Sequence, residues 1–221
     1  MTREAFVRHI KNLETNLMSM GQTVIDAINQ SVQALKEEDI DQANRIIRND
    51  ELINKRRDEL EEQCIRLIAL QQPVAADLRE IIAILYVSTD LERIGDYAEG
   101  IAKIAVMLGK EPLIKPPANI LPMAEAATSM LKRSLESFVN RDAKSAGAIC
   151  NEDDEVDRLY DEVYHELLNY MIADPKTISK ATPLIWVAHN LERIADRVTN
   201  ICERTVYLVT GSIQKVNVSK Y

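Results

Sequence analysis

The sequence predicts an all-α protein built as two tandem antiparallel three-helix bundles that are related by internal duplication. Residues that favour strands and turns are scarce, with aromatic residues at 5% and 6 Gly and 7 Pro among 221 residues. Apolar residues recur with helical spacing along most of the chain. One acidic heptapeptide also occurs twice, as DLERIGD at residues 90–96 and as NLERIAD at residues 190–196.

The helical spacing is clearest in three long apolar stripes. The first helix carries Phe6, Ile10, Leu13, Leu17, Met20, Val24, Ala27 and Ser31; the third carries Ile84, Val87, Leu91, Ile94, Ala98, Ile101, Ala105 and Leu108; the last carries Leu184, Val187, Leu191, Ile194, Val198, Ile201, Thr205 and Leu208. Such spacing buries one face of a long helix against partner helices at shallow crossing angles.

Helix boundaries are signalled by capping residues and prolines. Asp39 and Asp142 can each cap the N-terminus of a following helix, because a carboxylate accepts hydrogen bonds from unpaired backbone amides. Pro73 and Pro175 lie where the second helix of each half should give way to the third, since proline cannot continue a helix interior.

The proline-rich stretch GKEPLIKPPANILP, at residues 109–122, predicts a linker between the two halves. We therefore expect a first three-helix repeat in residues 1–110. Residues 111–221 would contain the linker, to about residue 122, and the second repeat.

The duplication extends beyond the heptapeptide. SVQAL at residues 31–35 resembles SLESF at residues 134–138. On the second helices, the apolar positions Ile46, Ile53, Leu60 and Leu67 correspond in order to Ile149, Val156, Val163 and Tyr170. A three-residue shortening near Pro175 then brings the third helices into their own register, so each half has the same helical order.

Charge and cysteine content exclude some classes of protein. The chain has 27 Lys and Arg against 35 Asp and Glu, a net charge of -8, and lacks the dense basic run expected of a nucleic-acid-binding protein. Three widely spaced cysteines favour reduced thiols over a disulfide framework. Since the sequence contains neither a signal peptide nor a long apolar run, we expect a cytoplasmic protein without membrane insertion.

Acidic residues concentrate on the second and third helices of each half. Taking the apolar stripe of the third helix as the core puts Glu92 and Asp96 on the opposite, outer face. The same relation holds for Glu192 and Asp196. The outer faces of the second helices carry Glu51, Asn54 and Asp58 in the first half and Asp154, Asp157 and Asp161 in the second, with Asp50 and Asp153 beside them.

Two interpretations of these acidic faces remain open at this point. Exposed helix positions are normally charged, so a solvated acidic surface needs no ligand. However, Glu and Asp four residues apart repel each other on a helix, by about 0.2–0.5 kcal/mol per pair. Carboxylates on neighbouring turns can share a divalent or trivalent cation, and their doubled spacing favours a metal site of that kind.

DLERIGD and NLERIAD, together with CIRLIALQQPVAADLR at residues 64–79, resemble the PhoU family of phosphate-signalling regulators. The resemblance covers essentially the whole chain and includes the two three-helix repeats. It implies a cytoplasmic, homodimeric accessory protein of the high-affinity phosphate transporter. Such a protein restrains the phosphate-starvation response and contacts both the transporter's ATPase subunit and a membrane sensor histidine kinase.

The resemblance also implies multinuclear clusters of iron or zinc, bound on the bundle surface by E(D)xxxD motifs. The motif positions here are Glu92 with Asp96, Glu192 with Asp196, Asp153 with Asp157, and Asp50 with Asn54. Asn54 departs from the acidic pattern, and its neutral amide predicts looser metal binding in the first half. Asp58 and Asp161, one turn further on, could compensate.

The leading hypothesis is therefore a non-enzymatic regulator of phosphate uptake. One alternative is a metal-dependent enzyme on a helical bundle, which would need carboxylate and His ligands inside the core. The other is a purely structural dimerisation module whose acidic stripe keeps it soluble. We expect Cys64 and Cys202 to be small core residues, Trp186 to pack, and His189 to rank below the carboxylates as a ligand.

Overall fold

The computed structural model describes residues 3–109 and 117–212, which are helical apart from short connections. The α-helices are α1 (Arg3–Glu37), α2 (Ile40–Gln71), α3 (Ala75–Leu108), α4 (Ile120–Val139), α5 (Ala143–Cys150), α6 (Asp153–Ala173) and α7 (Ile178–Thr210). A 3-10 turn, Pro175–Thr177, precedes α7. The first repeat is α1–α3 and the second is α4–α7, which confirms the all-α, duplicated fold.

The predicted N-caps are both formed. Asp39 and Asp142 each accept a hydrogen bond from the backbone N–H three residues later, at 2.9 Å and 3.0 Å. Each bond satisfies an amide that has no partner within its own helix. Pro73 lies in the connection between α2 and α3, and Pro175 lies in the 3-10 turn before α7.

The second helix of repeat two is broken, although its counterpart α2 runs without interruption for 32 residues. A turn at Asn151 and Glu152 separates α5 from α6, so the continuous helix expected from the duplication is wrong here. Residues 153–155 are all acidic and occupy the first turn of α6. The unpaired amides and dipole of this new N-terminus favour negative charge, which explains why the acidic run begins a helix.

One continuous hydrophobic core runs through both repeats. The three predicted stripes line it, with Ala27, Leu108 and Leu208 partly buried and the other members buried. Tyr170 does not join the core and is 37% exposed, because its hydroxyl donates to Glu166 at the surface. No helix in residues 3–109 and 117–212 has an apolar stretch long enough to cross a membrane.

The repeats meet along α3 and α7, which lie antiparallel. Near the start of α3, the guanidinium of Arg204 covers the Tyr86 ring at 3.9 Å from its centroid. Near the other end of α3, Gly100 leaves room for the Asn190 amide, since a Cβ there would lie 2.9 Å from it. The helices α1 and α4 also pack together, so four helices share the central core.

Half of the proposed linker, residues 110–116, lies outside the described ranges. Of the remaining linker positions, Gly109 follows the end of α3, and residues 120–122 already belong to α4. The second repeat thus begins its first helix slightly earlier than the linker boundary near residue 122.

Candidate functional site

The acidic residues of each repeat gather along the groove between its second and third helices. The first cluster consists of Asp50, Asn54 and Asp58 on α2 and of Glu92, Asp96 and Glu99 on α3. The second cluster consists of Asp153, Asp157 and Asp161 on α6 and of Glu192 and Asp196 on α7.

The heptad pattern predicts that the acidic side chains face outward into solvent, but several of them are largely buried. The side chains of Glu92 and Glu192 are only 14% and 23% exposed, and Asp153 is 8% exposed. A heptad assignment treats each helix as if it had one neighbour, whereas the third helices also lie beside their own second helices. Asp58 and Asp161 do face solvent, as expected.

Within the first cluster, α2 and α3 bring their oxygen atoms together around Asp50. Burial raises the pKa of Asp50, and the charges of Glu99, Asp96 and Glu92 raise it further. The Asn54 side-chain amide donates to Asp50 Oδ2 at 3.0 Å, which leaves its own carbonyl oxygen available.

Gly95 allows α2 and α3 to approach closely beside the first cluster. A Cβ at this position would lie 3.1 Å from the side chain of Ile53 and 3.5 Å from Asp50 Oδ1. Because Gly95 has no methyl group, the two helices can pack closely at this position. The corresponding residue of the second repeat is Ala195.

Arginines partly neutralise the first cluster. Arg93 donates to Asp96 at 3.0 Å, and Arg57 pairs with Asp58 at 3.0 Å and with Glu61 at 2.9 Å. The charge of Arg57 also opposes the rise that burial and Asp96 cause in the pKa of Glu92. The first cluster thus has cationic side chains from both helices.

In the second cluster, burial and mutual repulsion oppose ionisation of the carboxyls more strongly. Burial, followed by the charges of Asp157, Asp196, Glu192 and Asp154, raises the pKa of Asp153 to about 7. Burial, Asp196 and Asp157 likewise raise the pKa of Glu192 to about 7. Two carboxyls held close together in a partly dry groove cannot both ionise without a penalty, so this cluster favours an added cation.

Two neighbours of the second cluster supply hydrogen-bonding or charged groups. Arg193 donates to Asp196 at 2.6 Å, as Arg93 does to Asp96 in the first repeat. His189 Nδ1 lies 3.4 Å from Glu192 Oε2, although without hydrogen-bond alignment. Burial and then the nearby Arg193 lower the pKa of His189, which favours the neutral ring.

Unsatisfied oxygen atoms mark both clusters. In residues 3–109 and 117–212, the buried side-chain oxygens without a hydrogen-bond partner are Asp50 Oδ1, Asn54 Oδ1, Asp153 Oδ1 and Glu192 Oε2. All four belong to the two clusters. Because an unpaired buried polar oxygen is costly, their concentration there is the structural observation that best fits cation binding.

The side chains do not yet converge on a metal position. Within the described part of the chain, no group of three His, Cys, Asp or Glu side chains is arranged closely enough to hold an ion. The oxygen-rich donor set nevertheless fits a hard or borderline cation, which would draw the side chains inward by rotation about their torsions. Carboxylates of Asp153, Asp157 and Glu192 would hold it in the second repeat.

Glu99 is the acidic residue that the motif comparison left out of the first site. Glu99 lies on α3, and among the neighbouring charges it raises the pKa of Asp50 the most. The spacing of Glu99 from Asp96 along one helix face was a usable signal. Its counterpart Thr199 is neutral, so a comparison between repeats alone misses it.

The other sequence predictions have mixed outcomes. Cys64 and Cys202 are buried, as predicted for small core residues, and Cys150 is buried as well. The sequence predicts that Trp186 packs, but this prediction is wrong: the residue is 57% exposed, and its ring lies beside His189 on the same helix with centroids 5.7 Å apart. His165, on α6, is exposed.

Comparison with known proteins identifies the family. The chain matches the PhoU domain twice, at residues 17–105 and 120–205. It is 39% identical over 218 residues to a phosphate-specific transport system accessory protein PhoU homolog of Clostridium acetobutylicum, covering 98% of this chain and all of that one. Identity to the Aquifex aeolicus homolog is 38%, with 94% of each chain covered.

Solved structures agree with the sequence comparison. The crystal structure of the phosphate transport system regulatory protein PhoU from Streptococcus pneumoniae superposes with a TM-score of 0.88 at 33% identity, covering 95% of this chain and 99% of that one. For PhoU from Pseudomonas aeruginosa the TM-score is 0.87 at 35% identity, with 94% and 100% covered. The chain belongs to the PhoU family.

Proposed function

We propose that this chain is a non-enzymatic regulator of phosphate uptake, an accessory protein that restrains a phosphate transporter and its sensor kinase when phosphate is plentiful. The relatives named above are phosphate transport accessory or regulatory proteins, and the similarity extends over nearly the whole chain. The observation that carries the proposal is this full-length match, combined with acidic clusters at equivalent places in both repeats.

In this proposal each acidic cluster binds metal, with iron or zinc as the candidates. The cation would supply positive charge to the groove between two helices and would satisfy the four unpaired oxygens. Carboxylates from neighbouring helices would then hold those helices together, and the resulting surface would be less acidic. Both effects favour docking onto a partner that the free clusters would repel or bind weakly.

The two clusters should differ in affinity. The first has Asn54 where the second has Asp157, and it is partly neutralised by Arg57. The second has two carboxyls with pKa values near 7 and Tyr160 in place of that arginine. We therefore assign the tighter metal site to the second repeat.

The partners in this proposal are the ATPase subunit of the transporter and the membrane sensor histidine kinase. The chain would bind them as a cytoplasmic homodimer. A direct test is capture of the purified ATPase subunit, and separately of the kinase's cytoplasmic region, on the immobilised full chain. The proposal expects capture of at least one partner, and stronger capture with metal than with chelator. No capture of either partner under both conditions would contradict it.

One double variant separates the regulator from its alternatives. If the clusters matter for docking, Asp153→Asn with Glu192→Gln should weaken capture in the presence of metal. If the variant loses capture although the wild-type protein contains no bound metal, the result would instead support a structural role for these residues. Metal-dependent turnover of phosphate esters that is abolished in the variant would support an enzyme.

A further inference from the structure

Aromatic rings are concentrated on one face of the second repeat. The whole chain contains 10 Phe, Trp and Tyr residues and 3 His, yet five of these rings form one continuous run across α6 and α7. This aromatic run consists of His165, Tyr164, Tyr160, His189 and Trp186. Neighbouring ring centroids in that order lie 5.7, 6.4, 6.3 and 5.7 Å apart.

The aromatic run is open to solvent and borders the second acidic cluster. Trp186 is 57% and Tyr164 38% exposed. Within the run, His189 lies 3.4 Å from Glu192. Burial and then the charge of Glu192 raise the pKa of Tyr160, which shows how close the rings are to the carboxylates. A surface of ring faces beside carboxylates attracts cations by both cation–π and charge interactions.

The first repeat shows what occupies the equivalent surface there. By the duplication, Tyr86 stands where Trp186 stands, and the guanidinium of Arg204 covers the Tyr86 ring at 3.9 Å. The residue equivalent to Arg204 is Ile104, which cannot provide a cation for Trp186. Tyr86 of the first repeat is therefore covered by an arginine, whereas Trp186 of the second repeat has no equivalent arginine to cover it.

A second arginine is also replaced in the same way. Arg57 of the first repeat stands opposite Glu92 and pairs with Asp58. Its counterpart in the second repeat is Tyr160, at the centre of the aromatic run. The second repeat thus has a ring in place of a cation at the border of the second acidic cluster. Both substitutions leave space and negative charge for a cation from outside.

We propose that the aromatic run and the adjoining carboxylates form a docking surface for an arginine-bearing segment of a partner protein. The guanidinium would stack on Trp186 or Tyr164, in the way that Arg204 stacks on Tyr86, and would donate to a carboxylate of the second cluster. Arginine suits this surface better than lysine, because its planar group both stacks on rings and donates two parallel hydrogen bonds. The inference rests on the proposed function and adds a docking contact to it, which the chain makes through the second cluster when that cluster holds no metal.

Trp186 provides a direct readout, since it is the single tryptophan in the chain. The probe is a 12-residue helical peptide on an alanine background, free of Trp and Tyr, with arginines at positions 4 and 8. A matched peptide carries citrulline at both positions, which keeps the shape and removes the charge. Both are titrated into the full chain in the presence of chelator, and Trp186 emission is recorded.

Saturable change of Trp186 emission by the arginine peptide is the expected result, with binding about tenfold tighter than that of the citrulline peptide. Equal binding of the two peptides, or no change with either, would overturn the proposal. Chelator and a synthetic probe make this outcome independent of metal and of the transporter, so it can fail while partner capture succeeds.

Two variants and a control locate the site, measured by anisotropy of a fluorescein-labelled arginine peptide. Tyr160→Arg restores the arrangement of the first repeat and should weaken binding about tenfold, as should Trp186→Leu. Tyr86→Leu, the matched change in the first repeat, should leave the affinity unchanged. Circular dichroism checks that each variant is folded.

Equal weakening by Tyr86→Leu and Trp186→Leu would contradict the assignment of the surface to the second repeat. Sedimentation velocity completes the test. If Trp186→Leu converts a dimer to a monomer and the arginine peptide does not bind, the aromatic run is a contact between copies of this chain, and the proposal is wrong.

Discussion

Asp153 is the acidic residue of the second cluster that the fold buries most completely. It is 8% exposed, begins α6, and has one carboxylate oxygen without a hydrogen-bond partner. The N-terminus of α6 favours its negative charge, whereas burial and the neighbouring carboxylates oppose that charge more strongly, so its pKa rises to about 7. The residue is held where a cation or a proton relieves the repulsion.

The raised pKa values predict how stability varies with pH in chelator. Folding raises the pKa of Asp153 from 3.8 and of Glu192 from 4.5, in both cases to about 7. At these two residues the folded chain therefore binds more protons than the unfolded chain between about pH 4 and pH 7, and their contribution to the free energy of unfolding falls as pH rises through that window.

Asp153→Asn tests this pH dependence. The variant should be more stable than the wild type by about 1–2 kcal/mol at pH 7.5, since it removes a buried charge from a repulsive pair. At pH 5 the difference should shrink, because the wild-type carboxyl is then protonated. Urea unfolding followed by circular dichroism measures both values, and an unchanged difference at the two pH values would refute the repulsion.

Sequence reasoning identifies the residues of the clusters except Glu99, but it does not predict their burial. The repeated heptapeptide was enough to select Glu92 and Glu192, because like charges four residues apart are unfavourable without a reason. Their position in a groove depends on how the second helix of the same repeat packs against the third. Periodicity along one helix carries no information on that neighbour, so the exposure of Glu92 and Trp186 could not be read from it.

At the scale of elements, the helix α1 packs against α4 through a glycine. Gly21 is buried, and a Cβ there would overlap the side chain of Leu135, which is 1% exposed. Small residues at such a crossing let two helices approach closely, at the cost of greater backbone freedom in the unfolded chain. This contact joins the first helix of one repeat to the first helix of the other.

Gly21→Ala should therefore lower the free energy of unfolding by about 1–3 kcal/mol, despite the better helix propensity of alanine. Gly147→Ala is the matched control, because a Cβ at Gly147 on α5 meets nothing within 4 Å. That change should stabilise the protein by up to about 1 kcal/mol. Denaturant midpoints compare the two, and stabilisation by both would show that the α1–α4 contact is loose.

Capping residues and prolines predicted the helix boundaries well, because they act through bonds within a few residues. The break between α5 and α6 was missed. Its signal was the run of four acidic residues from Glu152 to Glu155, which suits a helix N-terminus. The duplication hid this signal, since the equivalent part of α2 is continuous.

Across the whole molecule, α3 and α7 join the repeats through a buried polar contact as well as through the apolar core. Asp90 is 9% exposed and accepts from Asn200 at 3.3 Å and from Arg197 at 3.4 Å. Burial raises the pKa of Asp90, and these two partners oppose that rise. The bundles therefore form a single unit with a shared core, which the separate stripes did not reveal.

Asp90→Ala should lower the free energy of unfolding by about 2–4 kcal/mol, because it leaves the Arg197 guanidinium without its buried acceptor. Asn190→Ala, at the equivalent place in the second repeat, removes a neutral group beside Gly100 and should cost about 1 kcal/mol. Chemical denaturation of both variants gives the comparison. Equal losses would mean that the Asp90–Arg197 charge pair adds nothing to the contact between repeats.

The central claim is that the two acidic grooves bind metal with unequal affinity, and equilibrium dialysis with metal analysis tests it most directly. The full chain is dialysed against zinc, or against ferrous iron without oxygen, beside Asp50→Asn with Glu92→Gln and beside Asp153→Asn with Glu192→Gln. We predict that the first pair of changes leaves the tighter site intact and that the second pair removes it. Metal content equal to wild type in both variants would contradict the account.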